Sequence, residues 1–119
     1  MGTYNTNVVD LTYLNEMTDG DAGLLKEMID IFLSQVDEFY ELLNKHYKEG
    51  DFDNLSKVAH KAKSSIAIMG MHELAEELGK LEIAAKNNEE ADQYPKYIAK
   101  FEKQCRLAVE ELKKIYQEI

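Results

Sequence analysis

The chain contains no tryptophan, one proline and one cysteine among its 119 residues. A lone cysteine, Cys105, rules out a disulfide within the chain and fits a reducing compartment, so a cytoplasmic location is expected. A lone proline, Pro95, leaves nearly all of the sequence free of the residue that interrupts helices. Apolar runs are short. None approaches the ~18 residues that a membrane-spanning helix needs, and no membrane partner is expected. The first residues lack the basic and apolar regions of a signal peptide. Gly2 with Thr6 meets the loose pattern for N-myristoylation, but no polybasic patch follows to complete an anchor. Basic residues are scarce too: 14 lysines and arginines stand against 23 aspartates and glutamates, for a net charge of −9. Such a surface repels phosphate backbones. That excludes nucleic acid as a general partner and favours a protein met through a local patch.

What is present is helical periodicity over a single domain, residues 1–119. Asp10 is placed to N-cap a short helix over roughly residues 10–18, with Leu11, Leu14 and Met17 on one side. Gly20-Asp21 breaks the chain, and Asp21 caps a long helix over roughly 21–48. The stripe of that helix is Leu25, Met28, Ile29, Phe32, Val36, Phe39, Leu43 and Tyr47, at three-and-four spacing. Gly50-Asp51 closes it and caps the next. The third helix, over roughly 52–69, carries Phe52, Leu55, Ala59, Ala62, Ile66 and Met69 on its core side and ends at Gly70. A fourth, over roughly 72–86, carries Leu74, Leu78, Leu81 and Ala85. Asn87 to Gln93 is polar and reads as a loop. Pro95 suits the first turn of a last helix over roughly 94–118, with Ile98, Phe101, Cys105, Ala108, Leu112 and Ile115 inside. On that stripe Cys105 acts as a small buried hydrophobe. Short connections between amphipathic helices imply antiparallel neighbours. The expected fold is all-α: an up-and-down antiparallel four-helix bundle with a short extra N-terminal helix laid across it. A monomer is expected.

The three histidines are not equivalent. Ala59 and Ala62 set the core phase of the third helix, and His60 is turned about 100° from Ala59. Its same-face neighbours are Ser56, Lys57, Lys63, Ser64 and Ala67, none of them bulky and apolar, so the ring is expected in solvent. No acidic residue occurs between Asp53 and Glu73, whereas Lys57, Lys61 and Lys63 all fall in that gap. The most electropositive stretch of an acidic chain is therefore centred on an exposed histidine. A neutral imidazole nitrogen is able to attack an acyl phosphate. Transfer then depends on positioning and on neutralising charge at the phosphoryl oxygens, which Lys63, one turn on, is placed to do. His46, near the end of the second helix, reads as a solvated capping residue. His72 opens the fourth helix, at the edge of the same surface.

The segment Ala59-His60-Lys61-Ala62-Lys63-Ser64-Ser65, followed by Gly70, Leu74 and Leu81-Glu82, resembles the signature of histidine-containing phosphotransfer (HPt) domains. The resemblance extends upstream through Gly50-Asp51, Glu27-Met28-Ile29-Asp30-Ile31-Phe32-Leu33 and Gly20-Asp21 to Asp10-Leu11-Thr12-Tyr13-Leu14, and so covers nearly the whole chain. It implies a phosphorelay intermediate that is a phosphocarrier without autokinase activity, with His60 as phosphoryl acceptor and Lys63 stabilising charge. It also implies no cofactor of the chain's own, since the Mg²⁺ and the acceptor aspartate belong to the receiver partner. Response-regulator receiver domains are the implied partners, and a hybrid sensor histidine kinase is a further candidate. The sequence departs from the family where a glycine usually follows the histidine by four residues; Ser64 stands there. The aliphatic position two after the histidine is Ala62.

Docking is expected on the first helix, the start of the second and the exposed faces of the third and fourth. The contacts proposed are Leu14, Met17, Lys57, Ser64, Ala67, Ile68, Met71 and Lys86. Two alternatives remain at this stage: a bundle that docks receivers without being phosphorylated, and an HPt module cut from a hybrid sensor or chemotaxis kinase. Glycine-rich nucleotide loops are absent, as is the Glu-x-x-His pair of di-iron bundles, and no metal ligands are expected.

Overall fold

A computed structural model describes residues 8–119, so the Gly2 and Thr6 pattern lies outside the described residues. Five α-helices follow in order: α1 Thr12–Met17, α2 Ala22–Glu49, α3 Phe52–Ile68, α4 His72–Lys86 and α5 Tyr94–Glu118. A short 3₁₀ turn, Ala91–Gln93, interrupts the loop expected before α5. The 28 residues of α2 run about 42 Å at 1.5 Å per residue, which nearly spans the 45 Å long axis of the molecule. Helices α2 to α5 form the bundle, with α3 packed along α4 and α2 against both α3 and α5.

Local chemistry sets the helix ends. The Asp21 carboxylate accepts from the Leu24 N–H at 2.9 Å and begins α2. Asp51 accepts from the Asn54 N–H at 3.3 Å and begins α3. Both caps are those the sequence predicts. Helix α1 differs: Leu11 occupies the cap position without a side-chain bond, while the Asp10 carboxylate takes the Thr12 N–H from one residue further out, at 3.0 Å.

The core contains every residue of the predicted α4 and α5 stripes. Cys105 is among them, and burial pushes its thiol up to about 12, which leaves it protonated and unreactive. Tyr94, which the periodicity leaves out, is fully buried as well. It packs edge-on to Phe52, with ring centroids 5.1 Å apart, and its hydroxyl donates to the Ala84 and Glu89 carbonyls at 2.9 and 2.5 Å. Those bonds close the end of α4 onto the start of α5.

The segment ahead of α1 is strapped down at two points. The Glu111 carboxylate on α5 accepts from the Val8 and Val9 N–H groups at 2.9–3.0 Å. The Asp10 N–H donates to the Met69 carbonyl at 2.9 Å, at the end of α3. Gly70 makes the second contact possible. Its φ is +76°, and a β-carbon there would stand 2.2 Å from the Asp10 carbonyl oxygen. No other residue fits this turn without moving the strap.

Candidate functional site

The site is assembled by the tight pairing of α3 with α4. Ala59 and Ala62 are sealed in the core. The helical turn between them swings His60 outward, where its side chain is 65% exposed. Helix α4 supplies the ring's partner. Nδ1 of His60 lies 3.0 Å from Oε2 of Glu82, whose side chain is 25% exposed. One turn before His60, the Ser56 hydroxyl donates to the backbone carbonyl of Glu82 at 2.8 Å. This bond fixes the register of α3 on α4 directly beneath the pair. Sequence phase puts Ser56 on the exposed face with His60; it is in fact buried, because the inter-helix bond satisfies its hydroxyl.

An open groove lies on each side of the ring. One brings Lys57, Lys61 and Lys86 together with His60, Asp53 and Glu82. The other holds His60, Lys63, His72, Glu76, Gly79 and Ile83. Lys63 makes no ion pair among the described residues. The arrangement therefore offers an imidazole oriented at one nitrogen, the other nitrogen without a protein partner among the described residues, and ammonium groups on both sides.

The family model of the Hpt domain matches residues 27–116. The chain belongs to the Hpt domain family. That family is one of phosphocarriers. The phosphorelay intermediate protein YPD1 of Candida albicans is 27% identical over 81 residues, which cover 66% of this Hpt chain and 44% of that protein. The chain thus spans less than half the length of this curated relative. The crystal structure of histidine-containing phosphotransfer protein B from Pseudomonas aeruginosa PAO1 superposes with a TM-score of 0.87 at 22% identity, over 97% of this chain and 99% of that one. It shares the helical-bundle fold.

The proposed docking residues divide. Lys57, Ser64 and Lys86 are exposed on α3 and α4, Ala67 and Ile68 are half-buried, and Met17 is 43% exposed on α1. Leu14 and Met71 are corrections. Leu14 is 0% exposed because the strap at Val8–Asp10 folds α1 onto the bundle and turns this side chain inward. Met71 is 5% exposed because the sharp turn at Gly70 points it back into the core. Neither offers surface to a partner. His46 is a third correction: its side chain is only 14% exposed, and Nδ1 sits 3.9 Å from both the Glu49 and Asp51 carboxylates. His72 is exposed beside the second groove.

Two features of the site are not apparent from the sequence. Glu82 was visible as half of the Leu-Glu pair, but only packing shows that it meets His60. Ile83, 63% exposed, stands off the α4 core stripe in the second groove, which was the available sign.

Proposed function

We propose that this Hpt chain is a phosphorelay intermediate that takes a phosphoryl group onto Nε2 of His60 from a receiver aspartyl phosphate and passes it to an aspartate of another receiver. The observation that carries this reading is the Glu82 carboxylate 3.0 Å from His60 Nδ1. With the ring neutral, Nδ1–H donates to Glu82 and the lone pair resides on Nε2. Nε2 attacks phosphorus, the bond from phosphorus to the aspartate oxygen breaks, and the carboxylate leaves with the electron pair. The ring gains positive charge as the P–N bond forms, and the Glu82 carboxylate stabilises it through Nδ1–H. In the reverse step a receiver carboxylate attacks phosphorus and the electron pair returns to Nε2.

Lys63 meets the charge on the phosphoryl oxygens. Lys57 and Lys86 line the groove on the opposite side and favour an acidic receiver face. The Mg²⁺ and the acceptor aspartate are the receiver's, and this chain, with no autokinase of its own, works in the cytoplasm.

Charging the protein with an acetyl-phosphate-loaded receiver, and separately with potassium phosphoramidate, should place an acid-labile, base-stable phosphate on it. ATP alone should not. His60→Gln should abolish the label, and His46→Gln and His72→Gln should keep it. Label persisting in His60→Gln would overturn the assignment. Ser64→Tyr should keep its melting temperature and its labelling by phosphoramidate, yet lose transfer from the receiver, because the bulk holds the receiver's aspartate away from the ring.

A further inference from the structure

Helix α4 carries a glycine in its interior, Gly79. Glycine weakens a helix interior relative to alanine, and the backbone here does not call for it: Gly79 is not among the glycines of positive φ. Turn geometry therefore does not account for Gly79. Space does. A β-carbon at Gly79 would lie 3.5, 3.6 and 3.7 Å from Nζ, Cε and Cδ of Lys63. The last three atoms of the Lys63 side chain therefore lie over Gly79 with room left for a methyl group, and a longer side chain there would meet them.

The neighbouring charges make this docking informative. Lys80 and Lys100 both lean on Glu77, at 3.9 and 3.5 Å, and Glu82 is engaged by His60. Lys63 is drawn to no carboxylate among the described residues. Its side chain, though exposed, lies along α4 over Gly79, in the groove that also holds His60 and Glu82. A lysine held by packing keeps its full charge for an incoming anion, whereas one held by an ion pair has already given part of it away. A lysine whose stem already rests along α4 has less freedom to lose during the reaction than one that stands clear of the surface.

We infer that Gly79 is a positioning residue for phosphoryl transfer: the small size of the residue there leaves the trough in which Lys63 lies beside His60 as the counter-charge for the transferring group. The inference rests on the reading of His60 as acceptor. Lys63 donates no proton in the step. It holds the non-bridging oxygens while the bond from phosphorus to the aspartate oxygen breaks and the bond to Nε2 forms.

The test fills the trough. Gly79→Ala places a methyl group at ordinary contact distance and should keep the rate of transfer from a receiver within about threefold. Gly79→Gln should displace the lysine and slow transfer roughly tenfold or more. Both variants should melt no lower than the parent, since the helix gains propensity and the position is not in the core. In a Lys63→Ala background, Gly79→Gln should produce no further slowing, because the group it displaces is gone. Independently of transfer, nuclear Overhauser contacts between the Gly79 α-protons and the Lys63 ε-methylene should be present in the parent protein. A parental rate in Gly79→Gln, an undiminished loss in the Lys63→Ala background, or absence of those Overhauser contacts would each overturn the inference. Failure of His60 as acceptor would appear separately, as a parent protein that takes no label.

Discussion

The two long faces of the bundle use the same kinds of residue to opposite ends. Where α2 meets α5, polar groups are paired off. The Tyr116 hydroxyl donates to Asp30 at 3.1 Å, which raises the tyrosine above its ordinary range, and Lys26 sits 5.1 Å from the centre of the same ring. Arg106, the only arginine of the chain, is bound to Glu102 one turn away. Where α3 meets α4, pairing stops halfway. Among the described residues His60 has a partner on Nδ1 and none on the other nitrogen, and the exposed Lys63 lies along α4 without a counter-ion. A surface that satisfies its own charges is finished as structure. One that orients its charges without satisfying them is ready for a ligand.

This contrast predicts that the two faces separate stability from transfer. The largest effect should come from Phe101→Ala on α5, a fully buried ring whose loss should destabilise by about 3–5 kcal/mol. Urea titration would measure it, and the rate of phosphoryl transfer well below the melting temperature should be unchanged. The converse variant is Glu82→Gln. It should slow transfer by roughly 10- to 100-fold while shifting the melting temperature little, because the Ser56 bond goes to the Glu82 backbone and survives. If Glu82→Gln melts early and transfers normally, the pair is structural and the contrast fails.

A smaller effect should appear at the base of α3. Side-chain and backbone bonds from Asn54 hold the Asp51 carboxyl below its ordinary value of 3.8. A lowered acid stabilises the fold above pH 3.8, and that contribution is lost as pH falls through the lowered pKa. Melting curves of the parent and Asp51→Ala should therefore differ at neutral pH and converge in strong acid. A gap of constant size would assign the effect to something other than the ionised cap. Smallest of all should be Arg106→Ala. An exposed ion pair one helical turn apart contributes a few tenths of a kcal/mol, so thermal melts should overlay closely and transfer should not change.

The site was partly readable in advance. The phase of Ala59 and Ala62 placed His60 in solvent, and the absence of acidic residues from Asn54 to His72 located the basic patch. The docking contacts are less legible. The sequence points to surface for Leu14, on a helix too short to bury all its apolar side chains, and for Met71, which lies beyond His60 and off the main core stripe. The strap and the Gly70 turn cover both. Glu82 and Gly79 lie 22 and 19 residues beyond His60 in the chain, and no periodicity within one helix reports what stands across from it in another.

The sequence by itself determined the number of helices, nearly all of their ends and the side each turns to the core. These follow from intrahelical bonds, caps and apolar spacing, which are local quantities. Tertiary structure alone decided which nitrogen of His60 is held, where the Lys63 ammonium rests and which apolar residues of α1 are hidden. Each of those depends on the register of one helix against another, fixed here by the Ser56 bond to Glu82 and by the close approach of Gly70 to Asp10.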